Sequence, residues 1–314
     1  MYMFHGGTTR GFMNGANYND RNPYEPQTSS YDYDAPLDEA GNATEKYMAF
    51  RGVIQRHLPA GVVLPEVPLK KAAVAVGPVH LREVGSVFGM LPAPVVAAQP
   101  LSFEELGQAY GYVLYRTEVD GGGGVLRIGG LRDFGVVFAN GQRVGVLDRR
   151  LRQDSLVLEL PAGKVRLDIL VENLGRINFG PYLLKNTKGI VGKVEWRGKE
   201  LGGWKMFGLP FDKVEELALS GGVGAGVPVV RKGSFEMAAP VDTYFDMRNW
   251  GKGCVWVNGH NLGRYWRVGP QQTVYVPAEW LKKGKNEVEV FELLKPEQEV
   301  LEGIDHPVLD ELAK

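Results

Sequence analysis

Two hydrophobic rhythms divide the chain. Near the start, apolar residues come as a short block, Met1-Tyr2-Met3-Phe4. After a polar stretch they recur at spacings of three and four, at Tyr47, Phe50, Ile54 and Leu58. The block is too short for a helix and suits a buried strand, while the later spacing is one face of an amphipathic helix. Asn42 is placed to cap that helix, with Glu45 three residues later to reach back to it. Gly6-Gly7 ends the strand, and a loop rich in Gly, Asn, Asp and Tyr follows. Strand, loop and helix make one βα unit over residues 1–58. Such a strand needs parallel neighbours on both sides.

Nothing downstream is patterned to supply them. Residues 59–100 are punctuated by Pro59, Pro65, Pro68, Pro78, Pro92, Pro94 and Pro100 and read as a connector. Its only strand candidates are Val74-Ala75-Val76 and Val79-His80-Leu81. From Ser102 the period becomes two. Strand formers crowd Tyr110 to Thr117, and the run Gly121 to Gly124 reads as a turn. Val136 to Ala139, Asn140-Gly141 and Gln142 to Leu147 spell a hairpin with a two-residue turn. Val165, Leu167, Ile169 and Val171 alternate with polar residues, Leu170 being the one misfit.

The same grammar then returns. Val255-Trp256-Val257 precedes Asn258-Gly259, and glycines flank both hairpins at matching offsets, Gly135 and Gly145 in one, Gly253 and Gly263 in the other. Each copy runs on into an alternating strand. Two related β-sandwiches follow, over 101–200 and 201–300, with a tail at 301–314.

Composition narrows the function classes. The chain has 314 residues, 44% of them hydrophobic, with 36 basic against 37 acidic side chains. That balance gives no electrostatic case for nucleic acid or an anionic membrane. No apolar run approaches the ~20 residues of a membrane span, and no charged-then-apolar leader is read at Met1. The sole cysteine, Cys254, sits in an alternating strand and reads as a small buried hydrophobe. Five scattered histidines show no metal-ligand spacing.

Several longer motifs carry a resemblance. Tyr2 to Thr8, Phe12 to Asn17, Tyr31-Asp32-Tyr33-Asp34-Ala35-Pro36-Leu37, and Glu39-Ala40-Gly41 through Glu45-Lys46-Tyr47 resemble the last barrel strand, loop and helix of glycoside hydrolase family 35 β-galactosidases. Thr9-Arg10 stands where family members usually carry Asn-Phe. Asn173 to Gly180 with Lys188-Gly189-Ile190, and Trp256 to Trp266 with Gly269-Pro270-Gln271, resemble the family's two galactose-binding-like jelly rolls. The resemblance implies a mainly all-β chain, two jelly-roll sandwiches preceded by a remnant βα unit of a (β/α)8 barrel.

It also implies retaining hydrolysis of terminal β-D-galactosyl residues, without a cofactor. Two carboxylates ~5–5.5 Å apart perform that chemistry, and in the family they lie on earlier barrel strands. No motif here carries a catalytic glutamate, so the chain alone is expected to be inactive. Tyr2, Tyr31 and Tyr33 match positions that line the galactose pocket, where a ring stacks on the sugar and a hydroxyl bonds to it. Read without the family, Tyr2 packs as a strand residue, and Tyr31 and Tyr33 hold their loop.

The nearby acids have structural readings. Asp32 and Asp34 suit a turn-rich loop, and Glu45 a helix cap. Trp256 reads as core; Tyr265 and Trp266 suit either a sugar platform or packing; Arg176 and Arg264 read as donors to loop carbonyls or carboxylates. The expected partners are a terminal β-galactoside in the intact enzyme and a separate barrel half. The alternatives are a non-catalytic carbohydrate-binding or scaffold module, or one half of a split enzyme.

Overall fold

Strands Tyr112–Ile128 and Ser155–Glu172 form the spine of the first sandwich. They pair antiparallel from Glu172 opposite Tyr112 to Ser155 opposite Arg127. In this computed structural model the described residues are 3–21, 23–30, 34–89, 91–211 and 226–312. The sheet order is Lys199–Glu200, Val194–Trp196, Tyr112–Ile128, Ser155–Glu172, Phe134–Ala139, Gln142–Asp148. Val165, Leu167, Ile169 and Val171 point into one core with Tyr115, Val119 and Trp204. Leu170, the misfit of the alternation, is buried on the opposite face with Tyr112, Leu114 and Phe138, against the second sandwich. Both faces of the strand are covered at that end, so no polar position is required there.

The glycine run is strand rather than turn. Gly122, Gly123 and Gly124 pair with Leu160, Glu159 and Leu158. A Cβ on Gly121 would collide with the Pro161 carbonyl, and the Arg197 side chain lies across Gly122 and Gly124. Close approach, not reversal of direction, is what glycine supplies there.

Both hairpins have the expected turns. Asn140 and Gly141 lie at φ 51° and 87°, Asn258 and Gly259 at 47° and 82°, the left-handed pair of a type I′ turn. In each, the asparagine Oδ1 accepts from a backbone N–H of the long strand, Arg166 or Glu287, at 2.9 Å. Each hairpin also carries a bulge at the same place, skipping Val144 in one and Leu262 in the other.

The second sandwich stacks a five-stranded sheet on a four-stranded one. The first runs His260–Trp266, Lys252–Val257, Gly284–Glu292, Val229–Met237, Arg82–Ser86. The second runs Thr273–Val276, Thr243–Asp246, Val300–Ile304, Val76–His80. The stretch read as connector therefore supplies an edge strand to each sheet. Pro78 is tolerated because an edge strand has unpaired N–H positions. The tail is tied in too: Leu301 is fully buried. Trp204–Leu209, placed by its number in the second copy, pairs instead with Tyr112–Ile128 of the first.

The N-terminal segment departs most from expectation. Residues 1 and 2 lie outside the described ones. Met3-Phe4 form no strand, and the parallel contact there is a single bridge, His5 to Leu37. The backbone pairing there is local: Phe4 O accepts from Leu37 N–H at 3.0 Å. A short strand, Gly15–Asn17, pairs parallel with Arg176–Ile177 and antiparallel with Glu25–Pro26. Helix α1 spans Glu45–Arg56 and is capped by Thr44, whose hydroxyl accepts from Tyr47 N–H. Asn42 is not the cap. Its side chain donates to Asp38 at 3.0 Å and accepts from Lys71 N–H at 2.7 Å, which moves the helix start two residues on. Glu45, at the first helical position, meets the positive end of the dipole. No α1 residue is buried.

Candidate functional site

The chemistry-bearing side chains gather where the N-terminal segment meets the sandwiches. Arg264, on the bulged hairpin, is buried there. Its Nε meets Glu172 Oε1 at 3.0 Å, and its Nη2 donates to Asn173 O at 2.6 Å. Nη1 donates to Asn14 Oδ1, and Asn14 Nδ2 to Leu174 O. The other oxygen of Glu172 holds Lys252 Nζ at 2.6 Å. One buried triad thus binds all three parts of the chain. Burial lowers the Lys252 pKa in spite of Glu172, and raises the Cys254 thiol to about 12. Lys252 stays cationic only through its partner.

A second knot lies beside it. The Tyr24 hydroxyl lies within hydrogen-bond reach of Asp133 Oδ2 at 3.0 Å and of Gly175 O, with one proton to give. Lys188 Nζ meets Asp133 Oδ2 at 2.6 Å and Gly175 O at 2.5 Å, while Arg149 takes Asp133 Oδ1 at 2.7 Å. Burial lowers the Lys188 pKa from 10.5 to about 8, against the pull of Asp133. The folded chain releases that proton near pH 8 and the unfolded chain near 10.5. Across that window the unfolded state binds more protons, so this group makes stability rise with pH. Urea unfolding of wild type and Lys188→Met at several pH values checks this. The wild type is expected to gain on the variant as pH rises through the window; a constant gap speaks against it.

The third cluster joins the loop before α1 to the second sandwich. Glu39 is buried and accepts from Thr8 Oγ1 and from Gln271 Nε2 at 3.1 Å. Gln271 Oε1 in turn accepts from Ser30 N–H at 2.9 Å. Burial raises the Glu39 pKa, partly offset by those donors and by Arg10. Arg10 donates to Tyr275 O at 2.7 Å and lies 4.6 Å over the Trp280 ring. The guanidinium thus makes an apolar contact and donates a hydrogen bond.

Tyr2, Tyr31 and Tyr33 all fall outside the described residues, as does Asp32. Asp34 pairs with Lys46 at 2.6 Å on the surface. The aromatic platform is not free. Trp256 is core, the Tyr265 hydroxyl meets Glu292 at 2.9 Å, and Trp266 packs edge-on against Phe134 under Arg150. Arg264 and Arg176 are structural donors, as expected. Each spreads over several acceptors; Arg176 takes Glu104, Asn186 O and Ala109 O.

Sequence reasoning missed Asp133, Glu172 and Lys252, and named Lys188 and Gln271 only as motif residues without a role. The signal was a charge set among apolar strand residues, as at Glu172 after Leu170-Val171 and Lys252 before Cys254-Val255-Trp256. Among the described residues every buried carboxylate is engaged: Asp133, Asp148, Asp168, Glu172 and Glu289 by cations, Glu39, Asp242 and Glu292 by hydrogen-bond donors. Such groups hold parts of the fold together. Among the same residues no group of three or more His, Cys, Asp or Glu is placed to hold a metal, and no helix is long and apolar enough to cross a membrane.

Comparison with known proteins finds three matching family models. A family model described as glycosyl hydrolases family 35 matches residues 1–57. Models described as the β-galactosidase first all-beta domain and galactose-binding domain match 100–210 and 228–286. The chain belongs to glycoside hydrolase family 35. Its relatives include a β-galactosidase of Xanthomonas manihotis, 43% identical over 279 residues that cover 88% of this chain and 46% of that protein. β-Galactosidase 17 of Arabidopsis thaliana is 36% identical, covering 98% of this chain and 50% of that protein. For the β-galactosidase of Mus musculus the values are 36%, 98% and 53%. The family 35 chain spans about half the length of the curated relatives it matches.

Proposed function

We propose that this chain is the C-terminal portion of a β-galactosidase-like glycoside hydrolase, and that alone it does not hydrolyse galactosides. In the intact enzyme it would contribute one side of the pocket for a terminal β-galactoside, through Tyr2, Tyr31 and Tyr33. A separate barrel half would contribute the nucleophile and the general acid. The observation that carries this reading is the engagement of every buried carboxylate among the described residues. A retaining site needs one carboxylate free to attack and another with a raised pKa facing it.

The N-terminal segment supports the same reading. Met3 and Phe4 form no strand, and α1 presents Phe50 and Ile54 to solvent beside Phe4, Tyr47 and Leu64. Co-expression with a polypeptide carrying the rest of a family 35 barrel tests the proposal. Hydrolysis of an aryl β-galactoside is expected only when both are present. Failure of a stable complex with that barrel to turn over substrate overturns it.

A further inference from the structure

The exposed face of the first sandwich sets like charges against each other. Lys205 stands directly across from Arg116, and Arg116 across from Asp168. Like charges opposed across strands are destabilising, and a local rule broken at the surface points to a function. Asp168 is fully buried and binds Arg116 Nε at 2.5 Å and Arg166 Nε at 2.8 Å. The terminal nitrogens of neither arginine have another hydrogen bond within the protein among the described residues. Phe207 lies 5.2 Å from the Arg116 guanidinium, and Phe88 5.6 Å from that of Arg166. Both planes are held by a carboxylate at one edge and a ring at one face. Lys205 is exposed and unpaired among the described residues. These three line a groove of about 580 Å³ with Thr117, Glu118, Lys164 and the Gly202-Gly203 backbone.

We propose that this groove binds an oxyanion of carboxylate or sulfate type, held by the free guanidinium edges of Arg116 and Arg166 and by the Lys205 ammonium. Guanidinium forks match planar and tetrahedral oxyanions with paired hydrogen bonds. Their rotamers are fixed in advance, so little side-chain freedom is lost on binding. Two carboxylates oppose the ligand. Glu118 stands across from Arg166, and Asp120 is already paired with Lys164 at 2.7 Å on the exposed flank. The charge left over admits one small anion rather than a polyanion. The groove involves no residue of the N-terminal segment, so it stands whether or not the chain completes a galactosidase.

Calorimetric titration of the full chain at low salt tests this, with sodium galacturonate, sodium sulfate and neutral galactose as probes. Saturable binding of galacturonate or sulfate, and none of galactose, is expected. Lys205→Glu and Arg166→Gln are expected to weaken it about tenfold or more. Lys205→Glu does not lower the melting temperature, because it replaces a like charge opposite Arg116 with an opposite one. Lys283→Glu, the same charge change on the other sandwich, leaves binding intact. Tighter binding of galacturonate than of sulfate assigns a sugar acid, and equal binding a free anion. Absence of saturable binding overturns the site, as does an equal loss in Lys283→Glu or equal binding of galactose.

Discussion

Replacing Arg264 by alanine is expected to lower the unfolding free energy by about 3–5 kcal/mol, the usual cost of breaking a buried ion pair from one side. The cost comes from what the guanidinium leaves behind. Glu172 would keep Lys252 but lose its second cation, and Asn14 Oδ1 and Asn173 O would lose their donor. Each is buried, so water does not readily replace the lost partner. Because Asn14 belongs to the N-terminal segment, that segment should also loosen. Thermal unfolding together with limited proteolysis of residues 3–57 reads both effects. Converting Arg264, Glu172 and Lys252 together to apolar residues of similar size should cost less than Arg264→Ala, since no charge is then stranded. An unchanged melting temperature in Arg264→Ala would mean that the triad contributes no net stability.

The second large effect concerns α1. Phe50 and Ile54 are 38% and 39% exposed, and Phe4 44%, around an apolar groove of about 210 Å³. If a barrel half covers that face, Phe50→Asp with Ile54→Asp should abolish recovery of activity on co-expression. Two central apolar anchors contribute about 2 kcal/mol each, together about a thousandfold in affinity. The stability of the chain itself should hardly change, because neither side chain is buried in it. Activity recovered at the wild-type level with the doubly charged helix would show that this face is not the docking surface.

Legibility in the sequence followed physical locality. The Asn140-Gly141 and Asn258-Gly259 turns were readable because two consecutive left-handed residues are a local requirement that few dipeptides meet. Trp256 and Cys254 were readable as core from alternation alone. Strand Val76–His80 was half legible, split at Pro78 into the candidates Val74-Ala75-Val76 and Val79-His80-Leu81, while Arg82–Ser86 was hidden, because its partner strand lies more than a hundred residues away. The glycine run was misread for a related reason: a glycine reports backbone freedom or close approach, and only the Pro161 carbonyl and Arg197 side chain distinguish the two. The ionic knots were only half legible. Arg264 and Arg176 stood in motif loops, but Glu172, Lys252 and Gln271 acquire meaning only once three distant segments meet. The family motifs, by contrast, were legible in full.

The most direct measurement is hydrolysis of an aryl β-galactoside by the purified 314-residue chain, compared with a no-protein blank and with its Glu39→Gln variant. Glu39 is the discriminating position, a buried carboxyl whose pKa burial raises, as a general acid requires. Rates for the chain and for Glu39→Gln that both match the blank are the predicted result. Turnover well above the blank that disappears in Glu39→Gln would contradict the account and make this chain an enzyme by itself.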